Sequence, residues 1–213
     1  MIDKARLKGR KARKVGRKII LKEGFIMINK FSDFDSCKRI EDNPRTRRIL
    51  DNFYKSLGFE FERVDFEKDY QSRQLQFKGV DVILYKDGGS LYVDEKVTTK
   101  EFKGDIFLEL TNGAKQGWAL NEKYETDVLL FYYSNKIILI QYKILREYLK
   151  SNLEILKFIY KVIKSDNGKE NLIIPLNALV SELNTPYINV VKTFETSDFK
   201  YTSTEEYILE GLF

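Results

Sequence analysis

The chain contains no histidine and a single cysteine, Cys37. The first absence removes every mechanism that needs an imidazole: a Ser-His-Asp triad, a Cys-His dyad, a His-ligated zinc, a histidine general base. The second removes intrachain disulfides and cysteine-based metal clusters, and a lone thiol fits a reducing, cytoplasmic setting. With 3 Pro and 12 Gly in 213 residues, the chain is neither linker-rich nor collagen-like. The most apolar stretch, 128–145, is broken by Ser134-Asn135-Lys136, Gln141 and Lys143, so nothing approaches the ~20 residues of a bilayer span. No apolar targeting segment precedes Lys22 and Glu23. The remaining chemical tools are carboxylates, lysines, hydroxyls and bound hard cations.

Apolar residues make up 43% of the chain, enough for a real core, and 13 Tyr and 15 Phe give that core large rings. The charge balance, 37 Lys+Arg against 32 Asp+Glu, is mildly basic but unevenly placed. Residues 4–18, KARLKGRKARKVGRK, hold nine cations in fifteen positions, with Lys8, Arg10, Lys11, Arg13, Lys14, Arg17 and Lys18 the densest run. Such an arm reads either as a solubilising tail or as an electrostatic hold on nucleic-acid phosphates. The organisation expected is a basic arm over 1–24, a core over 25–150, and a helical and strand extension over 151–213 packed on that core.

Asn43-Pro44 signals a helix start, and Ile49, Leu50, Phe53 and Leu57 then form one apolar face that Gly58 would end. Strands are expected over 59–66, 80–85, 91–98, 106–110, 127–133 and 137–142, with a polar loop over 67–76. Lys86-Asp87-Gly88-Gly89-Ser90 reads as a hairpin turn joining 80–85 to 91–98. Residues 144–164 have helical spacing, read as two helices meeting near Ser151-Asn152. A short strand over 172–176 and a helix over 177–183 follow.

Chemistry concentrates on the strands. Asp81 sits in VDVIL, Asp94 and Lys96 in YVDEKV, and Glu109 in IFLEL. Burying a carboxylate in an apolar strand costs several kcal/mol unless a partner or cation compensates. Side chains alternate along a strand, so Asp94 and Lys96 share one face, while Leu91, Val93, Glu95 and Val97 share the other. A hairpin whose paired residue numbers sum to about 175 sets Asp81 opposite Asp94. Two adjacent carboxylates repel unless a divalent cation or Lys96 lies between them. All-oxygen donors suit Mg²⁺ or Mn²⁺. A cation on Asp81 and Asp94, with Glu109 as a further ligand and Lys96 orienting water, is equipped for phosphodiester hydrolysis.

The sequence Gly79-Val80-Asp81 followed by Asp94-Glu95-Lys96 resembles the PD-(D/E)xK nuclease superfamily of phage and bacterial proteins. The resemblance covers roughly 44–145, with Val80 where the family's nominal Pro would stand. It implies a restriction-endonuclease-like α/β fold, a mixed central β-sheet flanked by helices. It also implies Asp81 and Asp94 as metal ligands, Lys96 as the residue assisting the attacking water, and the backbone carbonyl of Glu95 completing the metal shell. DNA is the implied substrate, with RNA still open, and the fold often works as a homodimer.

Lesser candidates accompany this set. Asp51 or Glu41 could stand for the acid this fold often carries on its first helix. Gln116 could touch water or a phosphate, against a plain loop role. Trp118 reads as a core anchor or a base-stacking ring. Lys100, Lys103 and Lys115 flank the motif as phosphate contacts or ordinary surface lysines. Two alternatives compete with a nuclease: a catalytically inactive nucleic-acid-binding protein of the same fold, and a structural protein in which Asp81, Asp94, Lys96 and Glu109 form a buried ion-pair cluster.

Overall fold

The computed structural model describes residues 43–165, 168–185 and 188–199. The basic arm with Lys8, Arg10, Lys11, Arg13, Lys14, Arg17 and Lys18, together with Cys37 and Glu41, lies outside the described residues.

The first helix among the described residues, α1 (Pro44–Ser56), starts where the sequence indicates. The Asn43 side chain caps it by accepting from the Arg45 N–H at 2.9 Å, and Pro44 occupies its first turn. Its apolar face buries Ile49, Leu50, Phe53 and Tyr54, and the chain leaves the helix at Leu57 and Gly58. Strand β1 (Glu60–Arg63) follows. Residues 67–76, expected as loop, contain instead the helix α2 (Tyr70–Phe77), capped by the Asp69 carboxylate, which accepts from the Ser72 N–H at 2.7 Å. This helix buries none of its own residues, so no apolar stripe announces it.

Strands β2 (Val82–Lys86) and β3 (Gly89–Val97) form the expected hairpin. Asp87 and Gly88 both take positive φ, 50° and 79°, as a two-residue turn with the twist of the flanking strands requires. With 87 and 88 as the loop, Lys86 faces Gly89, and the register runs back to Val82 opposite Val93. These pairs sum to 175, but the ladder stops at Val82 and Val93, one residue short of the expected Asp81–Asp94 pair.

The third motif strand departs from expectation. Strand β4 (Asp105–Asn112) does not join the hairpin's sheet. It pairs with β5 (Lys115–Gln116) and with β9 (Glu170–Pro175), and β9 pairs with β8 (Lys161–Lys164), making a four-stranded antiparallel sheet. The hairpin extends through β6 (Val128–Tyr132), β7 (Lys136–Gln141) and β10 (Val191–Glu195) into a six-stranded sheet in the order β1-β2-β3-β6-β7-β10. Only the β3/β6 pairing is parallel, so the central sheet is mixed.

Helix α3 (Tyr142–Ile159) runs unbroken through Ser151-Asn152, where a junction was expected. The Asn152 amide donates back to the Tyr148 carbonyl at 2.9 Å, four residues earlier, which satisfies the polar side chain inside the helix. The boundary drawn at 150/151 therefore falls within one helix. Helix α4 (Leu176–Leu183) follows β9.

Two apolar clusters cover the two faces of the central sheet. On one, α1 packs Leu50, Phe53 and Tyr54 against Val82, Leu84, Val93, Val128 and Leu130. On the other, Leu129, Phe131, Ile138 and Ile140 meet Ile106, Leu108 and Leu110 of the second sheet and Leu145 and Leu149 of α3. Strand β6 is buried throughout, as suits a central strand covered on both faces. The architecture is mixed α/β, and no helix among the described residues is long and apolar enough to cross a membrane.

Phe53, fully buried, meets the rings of Tyr54, Phe194 and Phe199 at 4.9 to 5.8 Å. Phe53→Ala should therefore cost about 3–5 kcal/mol in chemical denaturation. Phe158→Ala, at a side chain 92% exposed, should leave the midpoint nearly unchanged.

Candidate metal centre

The site forms where the β2–β3 ladder ends. The Asp81 N–H still donates to the Val93 carbonyl at 2.8 Å, but the Asp81 carbonyl turns away to accept from Val64 N–H, also at 2.8 Å. The next donor on β3, the Glu95 N–H, is taken up by the Asp81 carboxylate at 2.9 Å. A side chain has replaced a main-chain acceptor, which fixes one oxygen of Asp81 against β3. In an antiparallel pair a residue's N–H and C=O lie on the same edge of its strand. The Glu95 carbonyl is therefore also directed towards the edge where Asp81 sits.

Asp94 and Lys96 share one face of β3, beside Leu129 and Phe131 of β6. The Asp94 side chain is only 3% exposed. Its Oδ1 holds the Lys96 ammonium at 2.6 Å, and its Oδ2 is buried without a hydrogen-bond partner among the described residues. Leaving a charged oxygen unsatisfied costs more than the 1–3 kcal/mol typical of a neutral group. The Lys96 side chain is 28% exposed, and its ammonium lies 5.0 Å from the centre of the Trp118 ring.

Burial, and then the neighbouring Asp94 charge, push the Asp81 carboxyl well above the usual carboxylate range. Burial works against the Lys96 charge, but Asp94 and Asp81 outweigh it and hold the ammonium above the usual lysine range. Lys96 is thus held in its charged form, and Asp81 is drawn towards its protonated one.

Glu109 is not part of this pair. It lies on β4 in the second sheet, on the face opposite Leu108 and Leu110, with its carboxylate 3.6 Å from Lys169. Among the described residues no three acidic side chains gather as a metal cage. The side-chain donors at the hairpin are therefore the two aspartates, with the Glu95 carbonyl beside them. Asp51 is also elsewhere. It binds Arg63 at 2.8 Å, and Arg63 binds the Glu95 carboxylate at 2.9 Å. The Tyr54 hydroxyl donates to the other Glu95 oxygen at 2.7 Å. This network occupies the face of β3 opposite Asp94 and accounts for the acid that looked out of place between Val93 and Val97. Gln116 and Lys115 are exposed on the short β5, and Lys100 and Lys103 are exposed in the segment after β3.

Tyr124 is a neighbour that the sequence did not indicate. Its ring lies where a side chain on Gly79 would be: a Cβ there would fall 2.3 Å from the ring. Gly79 also has φ +77°, a conformation that favours glycine. The Thr126 hydroxyl donates to the Gly79 carbonyl at 2.6 Å and the Glu125 N–H to the Lys78 carbonyl at 2.9 Å, fastening this segment beside Asp81. Burial raises the Tyr124 pKa, with Lys96 opposing and Asp94, Glu109 and Asp81 reinforcing, so the phenol stays protonated.

The residues fit a hard cation: two hard carboxylates, one with a buried oxygen that no described residue satisfies, and a main-chain carbonyl on the same edge. A scan against protein-family models finds no match for this chain, and a search of curated proteins finds none either.

A carboxyl whose folded-state pKa lies above its unfolded one stabilises the fold fully at pH below the unfolded value and loses that contribution as pH rises through the folded value. Metal-free protein should therefore lose thermal stability as pH rises above the ordinary aspartate range and through the raised Asp81 range. Asp81→Asn keeps an acceptor for the Glu95 N–H and cannot ionise. Melting curves in chelator should show it matching wild type at low pH and exceeding it at neutral pH.

Proposed function

We propose that this chain is a Mg²⁺- or Mn²⁺-dependent nuclease that hydrolyses DNA phosphodiester bonds, of the PD-(D/E)xK, restriction-endonuclease-like type. The observation that supports it most is the buried Asp94 oxygen without a partner among the described residues, on the strand whose Glu95 N–H holds the Asp81 carboxylate, with the Lys96 ammonium on the same strand face. Asp81, Asp94 and the Glu95 carbonyl would hold the ion. The bound ion would supply Lewis-acid polarisation of the phosphate and a more acidic water. Lys96 is charged throughout the neutral range. Its ammonium would hold the attacking water by hydrogen bonding and offset the negative charge that grows on the phosphate. The face of the Trp118 ring lies 5.0 Å from that ammonium and favours its charge.

The tight Lys96–Asp94 contact favours a second reading, a purely structural ion pair. Incubating the full chain with plasmid, branched DNA and RNA in Mg²⁺, Mn²⁺ or chelator separates the two. A nuclease should cut DNA only with metal, and Asp94→Ala and Lys96→Ala should each lower the rate at least about 100-fold. A structural pair predicts no metal-dependent cutting by wild type, with Lys96→Ala acting on the melting temperature alone.

A further inference from the structure

We infer that the outer face of α1 is a docking surface for the phosphate backbone of duplex DNA. The choice of DNA rests on the nuclease reading, while the surface itself rests on separate observations.

Helix α1 presents Arg45, Arg47, Arg48 and Lys55 outward, all exposed. Arg47, Arg48, Asp51, Asn52 and Lys55, with Pro44, line a shallow open concavity of about 540 Å³. The acid within it, Asp51, is turned to Arg63 at 2.8 Å, a guanidinium it shares with Glu95, and not to the cations of α1. Among the described residues no carboxylate pairs with Arg45, Arg48 or Lys55. Three cations thus stand on one helix without acidic partners among the described residues.

The spacing suits a polyanion. At about 1.5 Å rise per residue, Arg45 to Lys55 spans about 15 Å, a length over which one DNA strand offers several phosphates. Arginine forks match phosphate oxygens in pairs. The face is also anchored mechanically to the candidate metal centre. Asp51 holds Arg63, Arg63 holds Glu95, and Glu95 lies between Asp94 and Lys96 on β3. A backbone bound on α1 is therefore tied through two ion pairs to the strand that carries the site.

The test measures binding of the full chain to a fluorescent DNA duplex in chelator, over a series of salt concentrations. The variant Arg45→Gln/Arg48→Gln/Lys55→Gln removes the three unpaired cations. A control, Lys143→Gln/Lys161→Gln/Lys164→Gln, removes the same charge from α3 and β8. Each phosphate contact contributes about 0.9 to the slope of log K against log salt. The α1 variant should flatten that slope by about 2 to 3 and weaken low-salt binding at least tenfold, with the melting temperature and the control's binding unchanged. An unchanged slope overturns the inference, as does an equal effect in the control, which would make net charge the cause. Failure of wild type to bind the duplex while it binds polyglutamate through the same three residues also overturns it, in favour of an acidic protein partner. Because metal is absent, the result is independent of cleavage. Slope loss in a protein that never cuts sustains the surface and sinks the nuclease reading, and cutting with an unchanged slope does the reverse.

Discussion

The arrangement turns on a carboxylate placed where an apolar side chain would ordinarily stand. Asp94 lies in the central sheet beside Leu129, nearly without solvent, and its two oxygens are treated unequally: one carries the Lys96 ammonium and the other has no partner among the described residues. Asp81 brings a second carboxylate to the same ladder end. Two negative charges and one positive leave a local deficit that burial makes expensive. A proton on Asp81 can fill it, which is why that carboxyl is pushed up. A divalent cation can fill it as well, and proton and cation then compete for the same place.

The opposite face of β3 shows how such a site can be held still. Glu95 is tied on one oxygen by Tyr54 and on the other by Arg63, and Arg63 is tied in turn to Asp51 on α1. Burial, with the Glu95 charge next, holds the Tyr54 phenol well above its ordinary pKa, so it remains a donor. Arg63 keeps its charge because Glu95 and Asp51 outweigh its burial. Clamping the Glu95 side chain restrains the main chain between Asp94 and Lys96, and with it the N–H that holds Asp81.

Local chemistry made much of this legible beforehand. The Asn43 cap, the Asp87-Gly88 turn and strand alternation act over a few residues, and together they set the hairpin register and put Asp94 and Lys96 on one face. Long-range pairing was hidden. The strand of Glu109 was expected beside the hairpin because it follows it in the chain, yet the partner that claims β4 is β9, some sixty residues on. The Glu95 clamp was equally hidden, since Arg63 lies thirty-two residues upstream. Helix α2 escaped because it rests on a cap instead of an apolar stripe. Tyr124 had no signal beyond the glycine at 79, whose need becomes visible only when the ring is seen against it.

Titration of Mn²⁺ into the metal-free full chain, followed by calorimetry, bears most directly on the cation site. The account predicts one ion per chain, bound more tightly as pH rises and releasing protons as it binds, with binding lost in Asp94→Asn. Absence of binding to wild type, or equal binding to Asp94→Asn, would contradict it.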